Sequence, residues 1–253
     1  MGNTVLITGG ATGIGFELAK GLLERENEVI ACCRGEEHLA EAKRKLPRLN
    51  VRRCDVSKQN ERQELHDWCK ANFPDLNILI NNAGIQRMVD FRKGTEDLVR
   101  IRDVDGEDEI GINFEAYVWM GAMFVPDFLR RREAAIVNVS SGLAFIPLVI
   151  TPVYDATKAA IHSFSITLRH QLRNTSIKVF EIIPPTVDTN LDAGARKARG
   201  QQDLGIPPEA VAEEALPRME KDEYEIAIGR AENLRSASRT NFDQTFLGMN
   251  RSF

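Results

Sequence analysis

Long hydrophobic runs are missing from this chain of 253 residues, and none approaches the roughly 20 apolar residues of a membrane-spanning helix. Its first residues enter a strand pattern at once, without the layout of a secretion signal, so a soluble, cytoplasmic protein with no membrane partner is expected. Excess positive charge is missing too. With 33 Lys and Arg against 37 Asp and Glu, the formal net charge is -4, which offers nothing to nucleic acid and leaves a small molecule as the expected partner. Cysteine is scarce. Cys32, Cys33, Cys54 and Cys69 form no C-x-x-C pair and no zinc pattern, so they read as reduced thiols, with Cys32 and Cys33 buried as small hydrophobes. His38, His66, His162 and His170 fall on helical stretches without an acid pair beside them, so no metal is expected. Met1-Gly2 has Leu6 where myristoylation needs Ser or Thr, and the sequon at Asn138 falls in a strand that should be buried. No G-x-S-x-G surrounds Ser141, which argues against a serine hydrolase.

What is present is ordinary globular composition, 43% hydrophobic and 28% charged, arranged as short apolar runs alternating with helical periods. Strands are predicted at Thr4–Thr8, Val29–Cys33, Val51–Cys54, Asn77–Asn81, Ala135–Val139, Lys178–Ile183 and Tyr224–Ile228. Helices are predicted at Ile14–Glu24, Glu36–Leu46, Arg62–Phe73, Asp105–Leu129 and Pro152–Arg173, with another opened by Pro207-Pro208-Glu209. The alternation implies one α/β domain over residues 1–253, a doubly wound parallel sheet of about seven strands with helices on both faces. Weak periodicity from Thr189 to Gln202 suggests a mobile flap. A polar tail from about residue 230 carries Phe242, Phe246 and Leu247 at helical spacing, so its apolar side should dock on the domain or on a partner subunit.

After the first strand comes Gly9-Gly10-Ala11-Thr12-Gly13-Ile14-Gly15, a glycine-rich turn running into a helix. Such a turn lets backbone approach a pyrophosphate, and the helix N-terminus offers unpaired N–H groups to it; the alternative is a plain tight turn. Two other segments reach the same sheet edge: Asp55-Val56 after strand three, where Asp55 could bond an adenine, and Asn82-Ala83-Gly84 after strand four, lining the cofactor. Each is equally at home as a satisfied turn. At the end of strand two no acid is present to take the ribose 2'-hydroxyl of NAD. Arg34 stands there instead, suited to a 2'-phosphate, so NADP(H) is favoured over NAD(H).

Taken together, Thr8-Gly9-x-x-x-Gly13-Ile14-Gly15, Asn81-Asn82-Ala83-Gly84, Ser141 and Tyr154-x-x-x-Lys158 resemble the short-chain dehydrogenase/reductase family over roughly residues 4 to 190. The stretches Ser141–Phe145 and Ser163–Ser165 resemble its subgroup of oxidoreductases associated with bacterial D-alanylation operons. A Rossmann-like fold and an NAD(P)-dependent oxidoreductase (EC 1.1.1 type) are what this likeness implies.

Tyr154 and Lys158 are four apart, so on a helix they share one face. A tyrosine titrates near ~10, and a nearby ammonium favours its phenolate, which is what proton transfer near neutrality requires. The resemblance further implies that Lys158 bonds the nicotinamide ribose, Ser141 orients a substrate carbonyl, and Asn113 holds a water linking Lys158 to solvent. It also places Pro184, Val187 and Thr189 along the cofactor. Pro185 stands where many members of the family carry glycine, which puts the contact near it in doubt. The apolar loop with Phe145, Leu148 and Ile150 reads as the wall of a cleft for a substrate with an apolar portion, or equally as core or subunit contact. A homodimer or homotetramer pairing the helices around Asn113 and Tyr154 is implied as well. Two other functions remain open: a non-catalytic NAD(P)-binding regulator, and a redox-neutral dehydratase or cyclase using the same tyrosine.

Overall fold

A computed structural model describes residues 2–98, 108–192, 194 and 205–251. Seven strands, β1 (Thr4–Thr8), β2 (Glu28–Cys33), β3 (Asn50–Arg53), β4 (Leu76–Asn81), β5 (Ala134–Val139), β6 (Ile177–Ile183) and β7 (Glu225–Ala227), form one sheet in the order β3-β2-β1-β4-β5-β6-β7. Every pair is parallel. Parallel strands buried on both faces need apolar side chains on both, and β1 meets that need: Val5 and Ile7 join one core, Leu6 the other.

On the first face lie α1 (Gly13–Glu24), α2 (Glu36–Lys45) and α7 (Pro208–Glu220), which set Leu18, Ala42 and Leu216 against Val5 and Val29. On the second lie α3 (Gln59–Asn72), α5 (Ala116–Phe128) and α6 (Pro152–Gln171), which set Leu65, Phe124 and Leu168 against Leu6 and Ile136. A single turn, α4 (Thr95–Leu98), precedes α5. The chain winds from β1 outward to β3, then crosses back to place β4 on the other side of β1. That reversal opens a crevice at the carboxyl ends of β1 and β4, the place where open α/β sheets bind ligands.

Two expectations are corrected, at the long helix and at Cys33. The helix predicted at Asp105–Leu129 is not uniform: residues 105–107 lie outside the described residues, and a wide π turn, Gly111–Glu115, precedes α5. This turn directs Gly111, Ile112 and Asn113 inward together, and the Asn113 amide leaves the helix to bond a neighbouring segment. The tail is two helices, α8 (Arg230–Thr240) and α9 (Phe242–Met249), with Phe242 stacked on Phe246. Phe242 and Leu247 stay exposed, and the anchor is polar: Asn250 accepts from Val149 N at 2.9 Å and donates to Pro147 O at 3.1 Å. Cys33 is only partly buried, its thiol donating to Gly35 O. The flap expected at 189–202 falls at 193 and from 195 onward outside the described residues.

Candidate active site

The carboxyl end of β1 turns on Gly9 and Gly13, whose φ values of +63° and +54° favour residues without a Cβ. At Gly15 the reason is contact: a Cβ there would stand 2.3 Å from Gly9 O and 2.5 Å from the Asn82 amide nitrogen. The turn is braced from β4. Thr8 Oγ1 accepts from the N–H groups of Asn82 and Ala83, at 3.0 and 3.1 Å, and Asn82 Nδ2 donates back to Thr8 O and Gly9 O. Asn82 therefore holds the glycine turn with its side chain. Thr8, read from the sequence only as part of a motif, is the other half of that brace.

Helix α1 begins after Thr12 with no side-chain cap and no acidic residue in its first turn. Its N-terminal N–H groups and positive end suit a pyrophosphate, so the glycine turn fits a dinucleotide. Thr189 reaches the same place, its methyl 3.0 Å from where a Cβ on Gly13 would sit, and Val187 is buried just before it in a bridge with Ile206. Ile14 is half-buried beside them, and Val56 is buried after β3. Asp55 spends one carboxylate oxygen on Ser57, accepting from its N–H at 3.0 Å and its hydroxyl at 2.7 Å. Arg34 is exposed at the end of β2.

At the end of β5 the chain turns through Ser140 and Ser141 into a short turn, Gly142–Ala144, that packs on α6 and α8. The two serines diverge. Ser141 Oγ accepts from Leu143 N, while Ser140 Oγ donates to the buried carboxylate of Glu181. Gly142 N donates to Pro184 O, which ties this turn to the end of β6. Across from it, α6 opens with Pro152 and carries Tyr154 and Lys158, both buried. Lys158 Nζ lies 5.6 Å from the centre of the Tyr154 ring and 5.4 Å from that of Tyr117, and it donates to Val139 O at 2.9 Å. Burial pushes Lys158 down to about 8.

Asn113 fixes the segment after β4: its Oδ1 accepts from Ile85 N at 2.9 Å, and its Nδ2 donates to Ile85 O at 2.8 Å. It also reaches Thr157, the neighbour of Lys158. A Cβ on Gly84 would lie 3.4 Å from Asn113 Oδ1 and 3.7 Å from Lys158 Nζ, so all three meet at one point. Tyr117 was not singled out by sequence reasoning. Its hydroxyl is within 3.1 Å of Ala83 O and 3.3 Å of Val139 O as donor, joining the ends of β4 and β5. The signal for it was its position one helical turn after Asn113.

Two further groups were missed. Asp155 lies buried beside Tyr154, accepting from Leu148 N and Thr151 Oγ1 at 2.7 and 3.2 Å, and so pins the apolar loop; burial pushes it up to about 7. His162, expected to stand apart from acids, is instead within 4.8 Å of Glu181 and Glu225 through potential ligand atoms. Strands β6 and β7 bring those acids to α6 from far along the chain, which spacing in sequence conceals. Their atoms are engaged with one another: His162 Nδ1 pairs with Glu181 at 2.9 Å, which raises the imidazole's pKa, and Arg235 donates to Glu225 at 2.8 Å. Phe145 meets His162 edge to face, 4.6 Å between ring centres. A separate cavity of about 320 Å³, lined by Phe73, Leu76 and Phe124, opens at the amino end of β4 and contains none of the expected site residues.

Residues 3–200 match the family model for short chain dehydrogenases. The oxidoreductase DltE of Bacillus subtilis (strain 168) is 52% identical over 248 residues, covering 98% of this chain and 96% of that protein. The NADP-dependent 3-hydroxy acid dehydrogenase YdfG of Escherichia coli (strain K12) is 29% identical over 218 residues, covering 83% and 86%. Among solved structures, a short-chain dehydrogenase/reductase of Burkholderia phymatum in complex with NAD superposes with a TM-score of 0.83, at 21% identity and over 98% and 96% of the two chains. The subgroup resemblance read from Ser141–Phe145 agrees with the likeness to DltE. A nucleotide cofactor of the NAD(P) type and a small-molecule substrate follow from the family. With the glycine turn, the Asn82 brace and the buried Tyr154–Lys158 pair assembled at one sheet edge, the chain belongs to the short-chain dehydrogenase/reductase family and is an NAD(P)-dependent oxidoreductase.

Proposed function

We propose that this protein interconverts a carbonyl and an alcohol on a small substrate with an apolar portion, using NADP(H) in preference to NAD(H), and that Tyr154 Oη gives and takes the proton. The observation that carries this is the Lys158 ammonium, buried beside the Tyr154 ring and held in place by Val139 O. Its charge favours the phenolate over the phenol and so eases loss of the proton from Tyr154 Oη to a developing alkoxide. Ser141 Oγ, set by the Gly142–Ala144 turn, donates to the carbonyl oxygen; Asn113 keeps the Ile85 segment against Lys158 and serves the water that refills it. When bound, the nicotinamide supplies or accepts the hydride at the substrate carbon. Gly9, Thr12, Gly13, Ile14 and Gly15 would hold its pyrophosphate, Asp55 and Val56 the adenine, and Asn82, Ala83, Gly84, Pro184, Val187 and Thr189 the remaining length. Lys158 would bond the ribose.

Arg34 at the end of β2, with no acid beside the expected ribose, supports the 2'-phosphate form, as does similarity to an NADP-dependent dehydrogenase. Phe145, packed on Ile183 and Ala227, and the loop held by Asp155 support an apolar wall. We further propose a single domain in the cytoplasm and a homodimer or homotetramer built on α5 and α6, where Trp119 is 50% and Ile166 44% exposed. The test is hydride transfer to a panel of carbonyl compounds, followed by nicotinamide absorbance. Tyr154→Phe should cost at least ~10²-fold while NADPH still binds. Tight NADPH binding without any Tyr154-dependent turnover would refute the reading in favour of a regulator.

A further inference from the structure

Lys158 is 3% exposed, yet among the described residues no carboxylate lies within ion-pairing distance of it, and its hydrogen-bond acceptor is the neutral carbonyl of Val139. Burying an ammonium this way is costly unless opposite charge acts on it through the dry interior, where fields reach farther than in water. Two carboxylates, both 0% exposed, are held by the segments that surround it: Glu181 by Ser140, the neighbour of Val139, and by His162, one turn after Lys158 on α6, and Glu109 by Arg87, three residues beyond Gly84, where a Cβ would lie 3.7 Å from Lys158 Nζ. Glu109 is one turn before Asn113 and bonds the same segment: its Oε1 accepts from Arg87 N at 2.9 Å, two residues beyond the Ile85 groups that Asn113 holds. Its Oε2 is buried and has no hydrogen-bond partner among the described residues. An orphaned carboxylate oxygen is itself expensive, and a nearby cation compensates it. From the opposite side, Glu181 on β6 is fixed by the Ser140 hydroxyl and His162 Nδ1.

We infer that Glu109 and Glu181 are a pair of buried counter-charges that keep Lys158 an ammonium and so set the pH up to which the Tyr154–Lys158 pair works. They are positioning residues, acting through Lys158, and the inference rests on the proposed role of that pair. The other groups around them are few. Tyr117 and Tyr154 face Lys158 with their rings; Arg87 and Asp155 act on Glu109, with opposite signs; His162 stands on Glu181, and beyond it Glu225 is bonded by Arg235. Burial pushes Glu109 up to about 7 and Lys158 down to about 8. Both glutamates raise Lys158 against that burial. Between those values Glu109 is ionised while Lys158 is still charged.

The test is a direct titration of Lys158 by NMR in the full chain labelled with ¹³C at lysine Cε, its resonance identified by its loss in Lys158→Arg. Wild type should titrate near 8. Glu109→Gln and Glu181→Gln should each lower the midpoint by on the order of one pH unit, a roughly tenfold change in the equilibrium. Glu109→Asp and Glu181→Asp, which keep the charge, should stay nearer to wild type, and circular dichroism confirms that each variant is folded. Midpoints unchanged in the folded glutamine variants, or lowered equally in the aspartate variants, would overturn the inference. Because either site suffices, misfolding of one glutamine variant leaves the other decisive. No substrate is needed, so failure to find hydride transfer would sink the proposed function and leave this result standing.

Discussion

Replacing Asp155 by asparagine should favour the folded protein more at pH 8 than at pH 5. Asp155 is buried at the start of α6, and burial pushes its carboxyl from the ordinary 3.8 up to about 7, with Glu109 adding to the rise. Between those values the native state holds a proton that the unfolded chain has lost, so stability falls as pH rises and the loss is complete above about 7. Over the step from pH 5 to pH 8 this one group removes about 2–3 kcal/mol from wild type, since a proton held by the native state alone costs about 1.4 kcal/mol for each pH step of one. Asparagine keeps an acceptor for Leu148 N, bonded in wild type at 2.7 Å, and carries no charge to bury. The stability of Asp155→Asn minus that of wild type should therefore grow by about 2–3 kcal/mol between the two pH values, or roughly 4–12 °C in Tm for a chain of this size. Urea unfolding at both pH values measures it. A difference that is flat with pH, or one that turns against the variant at pH 8, would refute the account of Asp155 as a reluctantly ionised group.

Arg34→Ala should weaken NADPH binding by about tenfold or more and leave NADH nearly unchanged, as measured by fluorescence titration; equal losses would remove Arg34 from the 2'-phosphate. Gly15→Ala places a Cβ 2.3 Å from Gly9 O, so the glycine turn must shift; binding of either dinucleotide should fall more than tenfold, at a cost of about 1–3 kcal/mol in unfolding free energy. Trp119→Arg puts a charge on the exposed side of α5 and should convert an oligomer to smaller species in sedimentation velocity; unchanged sedimentation would exclude that face as the contact.

The order of strands and helices was legible because the inner strands β1, β4, β5 and β6 are mostly buried and read as apolar runs, while most helices keep one polar side; the edge strand β3, Asn50-Val51-Arg52-Arg53, and the almost wholly apolar α5 are the exceptions. The glycine turn and the Tyr154–Lys158 spacing were legible because both are local. Much of what escaped depends on residues distant in sequence, although Asp155, whose partners are four and seven residues away, escaped as well. His162, Glu181 and Glu225 meet only because β6 and β7 are neighbours beside α6, and Glu109 is bonded by Arg87 on the segment after β4, 22 residues away. The choice between Ser140 and Ser141 rested on spacing to Tyr154; in the fold the distinction is physical, since Ser140 is turned to Glu181. The π turn at Gly111–Glu115 has no periodic signature because it is a single irregular turn.

Asn250 holds Pro147 and Val149 from more than a hundred residues downstream, so α9 is tied to the loop that the proposed function makes the wall of the cleft. On that reading, a change at Asn250 or in α9 will be felt where the substrate is proposed to sit. Selectivity can then drift through changes in α9 alone, with Tyr154 and Lys158 left untouched.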